Sequence, residues 1–265
     1  MIKAITEAQN NNSFNNIQLI ATDMDGTLTK NGKFTSDLIS ALETLKHKNI
    51  DVLIVTGRSA GWVQTIANYL PIIGAIAENG GLFYNNQTNS CKFLTQIQDL
   101  ATYRQKLSSV FKLLQQQFPQ ISESEDNRFR ITDWTFDIEN LTASQLTEIT
   151  AICQQAGWGF TYSTVQCHIK PLEQDKAPGL QSVLNDYFPQ LTSKEIVTVG
   201  DSPNDESLFN QNLFPVSVGV ANILDYCDRL KYQPTYITSK AEVAGFCELA
   251  DILRKQGTDL VKIPQ

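Results

Sequence analysis

Histidine, cysteine pairing and basic clusters are what this sequence lacks. Only two histidines occur in 265 residues. His47 lies on a polar helix face between Lys46 and Lys48 and reads as solvated, and His168 falls in the strand-like segment VQCHIK and reads as structural. That leaves little material for a zinc hydrolase or a Ser-His-Asp triad. The five cysteines (Cys91, Cys153, Cys167, Cys227, Cys247) form no CxxC and approach neither histidine in sequence. They read as reduced, mostly buried thiols rather than a disulfide or metal framework. No block of Lys and Arg appears, and 21 basic residues against 28 acidic ones give a net charge of −7, so nucleic acid is a poor partner. No apolar run approaches the roughly 18 residues that span a bilayer, which argues against a membrane partner. The first sixteen residues lack the apolar segment and cleavage site of a signal peptide. These absences predict a cytoplasmic location.

The chain does contain strands alternating with helices. Residues 17–22 form an apolar run that ends in Asp23, followed by a helical pattern from Ser36 through Leu38, Ile39, Leu42 and Leu45. A second strand is expected at 52–55, a helix at 59–69, and a third strand at 72–77. That rhythm means βαβ crossovers and a parallel sheet. After Gly80-Gly81 it changes. A hairpin is expected over 82–94, a long amphipathic helix over 100–118, and strands at 128–131 and 134–138. A helix over 142–156 and strands at 159–162 and 165–169 follow, which suits a small antiparallel sheet with two helices. Crossovers then resume with a helix over 177–187, a strand at 196–199, a helix from Pro203, a strand at 214–218, a helix over 221–230 and a last helix from Ser239. The expected organisation is a disordered asparagine-rich segment at 1–16, an α/β core from 17–84 and 170–265, and an inserted α+β unit at 85–169.

Chemistry concentrates at the predicted strand ends, where open parallel sheets bind ligands. The first strand ends in Asp23-Met24-Asp25-Gly26-Thr27, two acids that could serve as nucleophile and proton carrier. The second ends in Thr56-Gly57-Arg58-Ser59, offering a hydroxyl and backbone N–H groups near a helix N-terminus, which suits a phosphoryl oxygen. A later strand ends in Gly200-Asp201-Ser202-Pro203-Asn204-Asp205, in which Ser202, Pro203 and Asp205 also fit a helix-capping pattern. Lys176 stands where the core resumes. Arg58, Glu78 and Asn79, with Arg128, Arg130, Asp133 and Trp134 of the insertion, are candidates for substrate contact. Trp134 and Trp158 read better as packing residues.

In chain order, DMDGT at 23–27, Thr56 in VTGRS, Lys176 and GDSPND at 200–205 resemble the haloacid dehalogenase (HAD) superfamily of phosphohydrolases. The likeness covers about residues 17 to 250, and the insertion is similar to the type IIB cap of the Cof-like and sucrose-phosphatase-like branch. The resemblance implies a Rossmann-like parallel-sheet core with helices on both faces and an inserted cap with an antiparallel sheet. It implies that Asp23 attacks phosphorus to form an aspartyl phosphate and that Asp25 moves the proton. Mg²⁺ would be held by the Asp23 carboxylate, the Asp25 main-chain carbonyl and Asp201. Thr56, Gly57 and Lys176 would bind phosphate, with Asn204 and Asp205 in support. The implied substrate is a small phosphorylated metabolite, plausibly a sugar phosphate. A phosphomutase of the same superfamily and a phospho-accepting switch module are the alternatives.

Overall fold

The computed structural model describes residues 2–10, 13–163 and 165–255. Among these residues, nine strands form one sheet and three form another. In chain order the first sheet's opening part comprises β1 (Lys3–Ala4), helix α1 (Ile5–Asn10), β2 (Leu19–Thr22), α2 (Ser36–His47), β3 (Asp51–Val55), α3 (Ala60–Tyr69), β4 (Gly74–Ala77), β5 (Leu82–Asn85) and β6 (Ser90–Phe93). The insertion contains α4 (Leu100–Gln117), β7 (Trp134–Asp137), α5 (Ala143–Gln155), β8 (Gly159–Tyr162) and β9 (Gln166–Lys170). The core then resumes with α6 (Lys176–Tyr187), β10 (Ile196–Gly200), β11 (Ser217–Gly219), β12 (Tyr236–Ile237) and α7 (Glu242–Lys255).

The first sheet has the order β1-β12-β11-β10-β2-β3-β4-β5-β6 and the second β7-β9-β8. From β1 across to β4 the pairings are parallel, and only β5 is reversed, pairing antiparallel with β4 and β6. Helices cover both faces, so the central strands are apolar on both sides. Ile20, Val52, Ile54 and Val197 point toward α2, α3 and α7, where Leu38, Leu42, Val63, Phe246 and Leu249 meet them. Leu19, Ala21, Leu53 and Val55 point the other way, onto Ala177, Leu180 and Val183 of α6. The alternation follows from the two-residue period of a strand. In the cap, Cys167 and Ile169 of β9 and Phe136 of β7 pack under α4 and α5 with Leu107, Phe111 and Ile149. The intervening residues Gln166, His168 and Lys170 therefore lie on the opposite face of β9.

Several expectations are corrected. The segment at 1–16 was expected to be disordered, yet β1 pairs with β12, and Ile5, Ala8 and Phe14 are buried. Phe14 packs on Tyr236 at 5.6 Å between ring centroids. Sparse apolar residues among asparagines hide this docking from periodicity; Asn11 and Asn12 lie outside the described residues, as do 256–265 of the expected core. Strand β6 stays hydrogen-bonded to β5 in the core sheet, so the insertion begins beyond Phe93 rather than at 85. Residues 128–131 are not a strand. A 3₁₀ helix spans Glu125–Phe129, and the Asn127 side chain bonds the main chain of Thr135 through both its oxygen and its nitrogen, taking a neighbouring strand's place beside β7. The helix expected over 221–230 is two 3₁₀ turns, Ala221–Asp225 and Cys227–Arg229, and the one expected from Pro203 is 3₁₀ as well.

Candidate active site

The C-terminal ends of β2, β3, β4 and β10 sit side by side, because these strands are neighbours in the sheet. Asp23 follows β2 and donates its N–H to Val199 of β10 at 2.9 Å. Gly26 then turns the chain at φ +82°, where a Cβ would lie 2.4 Å from an Asp201 oxygen. Only glycine fits this approach. Thr27 donates its hydroxyl to Asp201 Oδ1 at 2.8 Å, and Asn222 donates its amide to Asp201 Oδ2 at 2.9 Å. Asn222 escaped the sequence reading: it belongs to no local motif and arrives from the segment after β11.

Lys176 is completely buried at the start of α6 and donates to Asp23 Oδ1 at 2.5 Å and Asp205 Oδ1 at 2.6 Å. The other oxygen of Asp205 takes the N–H groups of Asp201 and Ser202 at 2.9 and 3.1 Å. Asp205 thus caps the turn and holds the lysine together. Burial, with Asp205 and Asp25 beside it, pushes Asp23 up to about 7 against the pull of Lys176. Burial acts to lower Lys176, but Asp205 and Asp23 outweigh it and hold the ammonium above the usual lysine range. Asp201 is pushed well above the carboxylate range by burial and by its neighbours Asp23 and Asp205.

Asp25 is partly exposed and accepts from two of the three guanidinium nitrogens of Arg58, Nε at 2.8 Å and Nη2 at 2.7 Å. The Thr56 hydroxyl accepts the Arg58 N–H at 3.1 Å, which curls the loop after β3. Glu78 and Asn79 after β4 hold that loop: Glu78 N–H donates to Arg58 O and Asn79 N–H to Thr56 O, both at 3.0 Å. Both residues have left-handed φ, 53° and 52°. Asn79 Oδ1 accepts from the Asn204 amide at 3.1 Å, while its own buried Nδ2 has no hydrogen-bond partner among the described residues.

A cavity of about 20 Å³, room for about one water, lies between cap and core. Asp23, Asp25, Thr56, Gly57, Arg58, Ser202 and Asn204 border it from the core, and Ser163, Val165, Gln166 and His168 from the cap. The other candidates for substrate contact stand elsewhere. Glu78 is buried in the cap–core seam, accepting from Ala60 N–H at 2.8 Å and from Thr132 N–H at 2.6 Å and its hydroxyl at 2.7 Å. Burial and nearby Asp133 push it up to about 7. Arg130 is buried, donating to Gly57 O at 2.9 Å and to Asp133 at 3.0 Å. Arg128 is exposed over the Phe129 ring. Trp134 packs with Phe111 and Arg104, and Trp158 with Tyr103.

The donor set suits a hard divalent cation. Oxygens of Asp23, Asp201 and Asp205 lie within 4.8 Å of one another. Lys176 offsets Asp23 and Asp205, whereas the hydrogen-bond partners of buried Asp201 among the described residues, Thr27 and Asn222, are uncharged. An all-oxygen cluster carrying one uncompensated buried carboxylate matches what Mg²⁺ binds.

The family profile described as haloacid dehalogenase-like hydrolase matches residues 20–133, which contain the ends of β2, β3 and β4. The chain also resembles phosphoglycolate phosphatase 1 of Saccharolobus solfataricus, 29% identical over 93% of this chain and 100% of that protein. Over residues 20–133 the chain is recognised as a haloacid dehalogenase-like hydrolase. A phosphoglycolate phosphatase of Methanothrix thermoacetophila is 25% identical over 91% of this chain and 99% of its own length. Within its family the chain is an HAD-type phosphatase. Its fold is that of a Thermoplasma acidophilum protein of known structure (TM-score 0.73, 20% identity, 89% of this chain and 98% of that one). The trehalose-6-phosphate phosphatase C-terminal domain of C. albicans shares it too (TM-score 0.71, 14% identity, 96% and 98% covered).

Proposed function

We propose that this hydrolase is a Mg²⁺-dependent phosphomonoesterase that passes the phosphoryl group through Asp23. The observation that carries the reading is the convergence of Asp23, Asp201 and Asp205 on buried Lys176, with Asp25 across the same cavity. The free oxygen of Asp23 attacks phosphorus, and the bond from phosphorus to the ester oxygen breaks. Lys176, the Thr56 hydroxyl and the N–H groups after β3 take the phosphoryl oxygens, whose charge grows in the transition state. Asp25 gives its proton to the leaving oxygen, then takes one from the water that attacks the aspartyl phosphate. Freeing Asp25 for this work requires Arg58 to turn from it toward substrate, which their partial exposure permits. Asn204 and Asp205 keep the turn and Lys176 in place. Mg²⁺ bound by Asp23, Asp201 and the Asp25 main-chain carbonyl would neutralise the carboxylates and polarise the phosphoryl group.

The substrate class we favour is a small phosphorylated acid of phosphoglycolate size. The near full-length relatives named phosphoglycolate phosphatases support it, as do the polar cap residues Ser163, Gln166 and His168 that border the cavity. The sugar phosphate expected from cap type has no comparable support, since the trehalose-6-phosphate phosphatase likeness, at 14% identity, speaks for fold alone. Phosphate release should be measured across phosphoglycolate, sugar phosphates, nucleotides and p-nitrophenyl phosphate, before and after chelation. Phosphoglycolate is expected to give the highest kcat/KM, with activity lost to EDTA and restored by Mg²⁺. Release that ignores chelation overturns the metal assignment, and a higher kcat/KM with a sugar phosphate overturns the substrate class.

A further inference from the structure

The cap places a buried ionic relay against the site. Arg130 and Asp133 have fully buried side chains, joined through Arg130 Nη1 to both Asp133 oxygens at 3.0 Å. Asp133 Oδ2 in turn meets His168 Nδ1 at 2.8 Å. Such a network adds little net stability over apolar packing of the same volume. The cap's stability therefore does not account for it; its position does. Arg130 reaches across to the Gly57 carbonyl, and the His168 ring stands over Gly57 so closely that a Cβ there would come within 3.1 Å of Cε1. His168 borders the cavity together with Asp23 and Asp25.

The relay fixes the ring's chemistry as well as its place. Asp133 is kept ionised: burial raises it, but Arg130 and His168 outweigh that and hold it below the usual carboxylate range. An ionised carboxylate takes a proton donor, so Nδ1–H points to Asp133 and Nε2, across the ring, is left for the cavity. The charged groups around His168 are Asp133 behind it, Arg130 and Lys176 beside it, and Asp23, Asp25 and Arg58 around the same cavity. Acids on the core side repel a second anion on a substrate. Burial, with Arg130 and Lys176, holds His168 below the usual imidazole range against the pull of Asp133, so the ring takes its second proton as it meets that anion, with Nε2–H donating to it.

We propose that His168, oriented by Asp133 and Arg130, is a specificity residue whose Nε2 binds the acidic group on the leaving portion of the substrate. This rests on the phosphorylated-acid reading above. The test compares phosphoglycolate with ethyl phosphate, which has the same ester link and no carboxylate. His168→Asn keeps an amide near Nδ1 for Asp133 and removes the cavity-facing nitrogen, whereas His168→Gln brings an amide nitrogen to the Nε2 position. In H168N, kcat/KM for phosphoglycolate is expected to fall about 10–100-fold, mostly through KM, with ethyl phosphate changing less than about threefold. H168Q is expected to recover much of the difference. Selectivity unchanged in H168N, or lost equally in both variants, overturns the assignment.

A wild-type protein without preference for phosphoglycolate over ethyl phosphate would instead fault the phosphorylated-acid reading, and this assignment with it. A second measurement needs no variant. Only His47 and His168 contribute imidazole nitrogens, so ¹⁵N spectra of the Mg²⁺-loaded protein resolve them directly. Adding 3-phosphonopropionate, a non-hydrolysable analogue of phosphoglycolate, is expected to shift His168 Nε2 and leave His47 unmoved. An unmoved His168 at saturation overturns the proposal.

Discussion

Asp201 is buried between Asp23 and Asp205, with a hydroxyl and an amide as its hydrogen-bond partners. Its elevated pKa, from burial first and those two neighbours next, is a statement about stability. The stability that protonated Asp201 contributes is fully present below its ordinary value of 3.8 and is lost as pH rises through the higher folded value. Asp201→Asn removes that loss. In metal-free protein the variant is expected to be more stable than wild type near pH 7.5 by on the order of 1 kcal/mol, or about 2–4 °C in Tm. The gap should close toward pH 4. Mg²⁺ should raise the wild-type melting temperature more than the variant's, and D201N should lose activity. Thermal melts over pH with and without the ion check both signs; a variant less stable at every pH would contradict them. Asp23→Asn should cost roughly 10⁴-fold or more in kcat while leaving the melt intact, because an amide is a poor nucleophile.

The loop after β3 is the element on which cap and core meet. Glu78 and Asn79 brace it from β4, and Arg130 of the cap takes the Gly57 carbonyl. Arg130→Met strips the positive partner from buried Asp133, so a loss of about 3–5 kcal/mol in stability is expected. Chemical denaturation measures it, and a loss below 1 kcal/mol would show that the pair is dispensable. The core half of this arrangement was legible in the sequence. Asp23, Asp25, Thr56, Asp201 and Asp205 follow apolar runs of strand length, and parallel pairing brings such ends together. The cap half was not. Residues 128–131 look like an alternating strand, but the Asn127 amide occupies the place beside β7 and the segment turns into 3₁₀ helix. His168 could have been placed by period, since its neighbours Cys167 and Ile169 are both apolar. Nothing local says that the face they leave free is the one turned to the active site.

Across the whole molecule, the nine-stranded sheet reaches its outer edge through the N-terminal segment. Strand β1 covers β12, and Phe14 seats on Tyr236. Phe14→Ala is therefore expected to cost on the order of 3 kcal/mol, where an unattached tail would cost nothing measurable by denaturation. The opening charge of −7 gains a location in the same way. Part of it is a buried cluster at the sheet's ligand-binding edge, balanced there by Lys176 and suited to Mg²⁺. In the proposed function Asp23 is the carboxylate that accepts the phosphoryl group, and that proposal can be read chemically. Asp25→Asn removes both proton transfers, but p-nitrophenolate leaves without a proton, so Mg²⁺-loaded D25N quenched in acid after exposure to ³²P-labelled p-nitrophenyl phosphate should form the aspartyl phosphate, fail to hydrolyse it, and retain hydroxylamine-sensitive label on the peptide bearing Asp23. Phosphate release by wild type with label on another peptide, or with no trapped label under any quench, would contradict it.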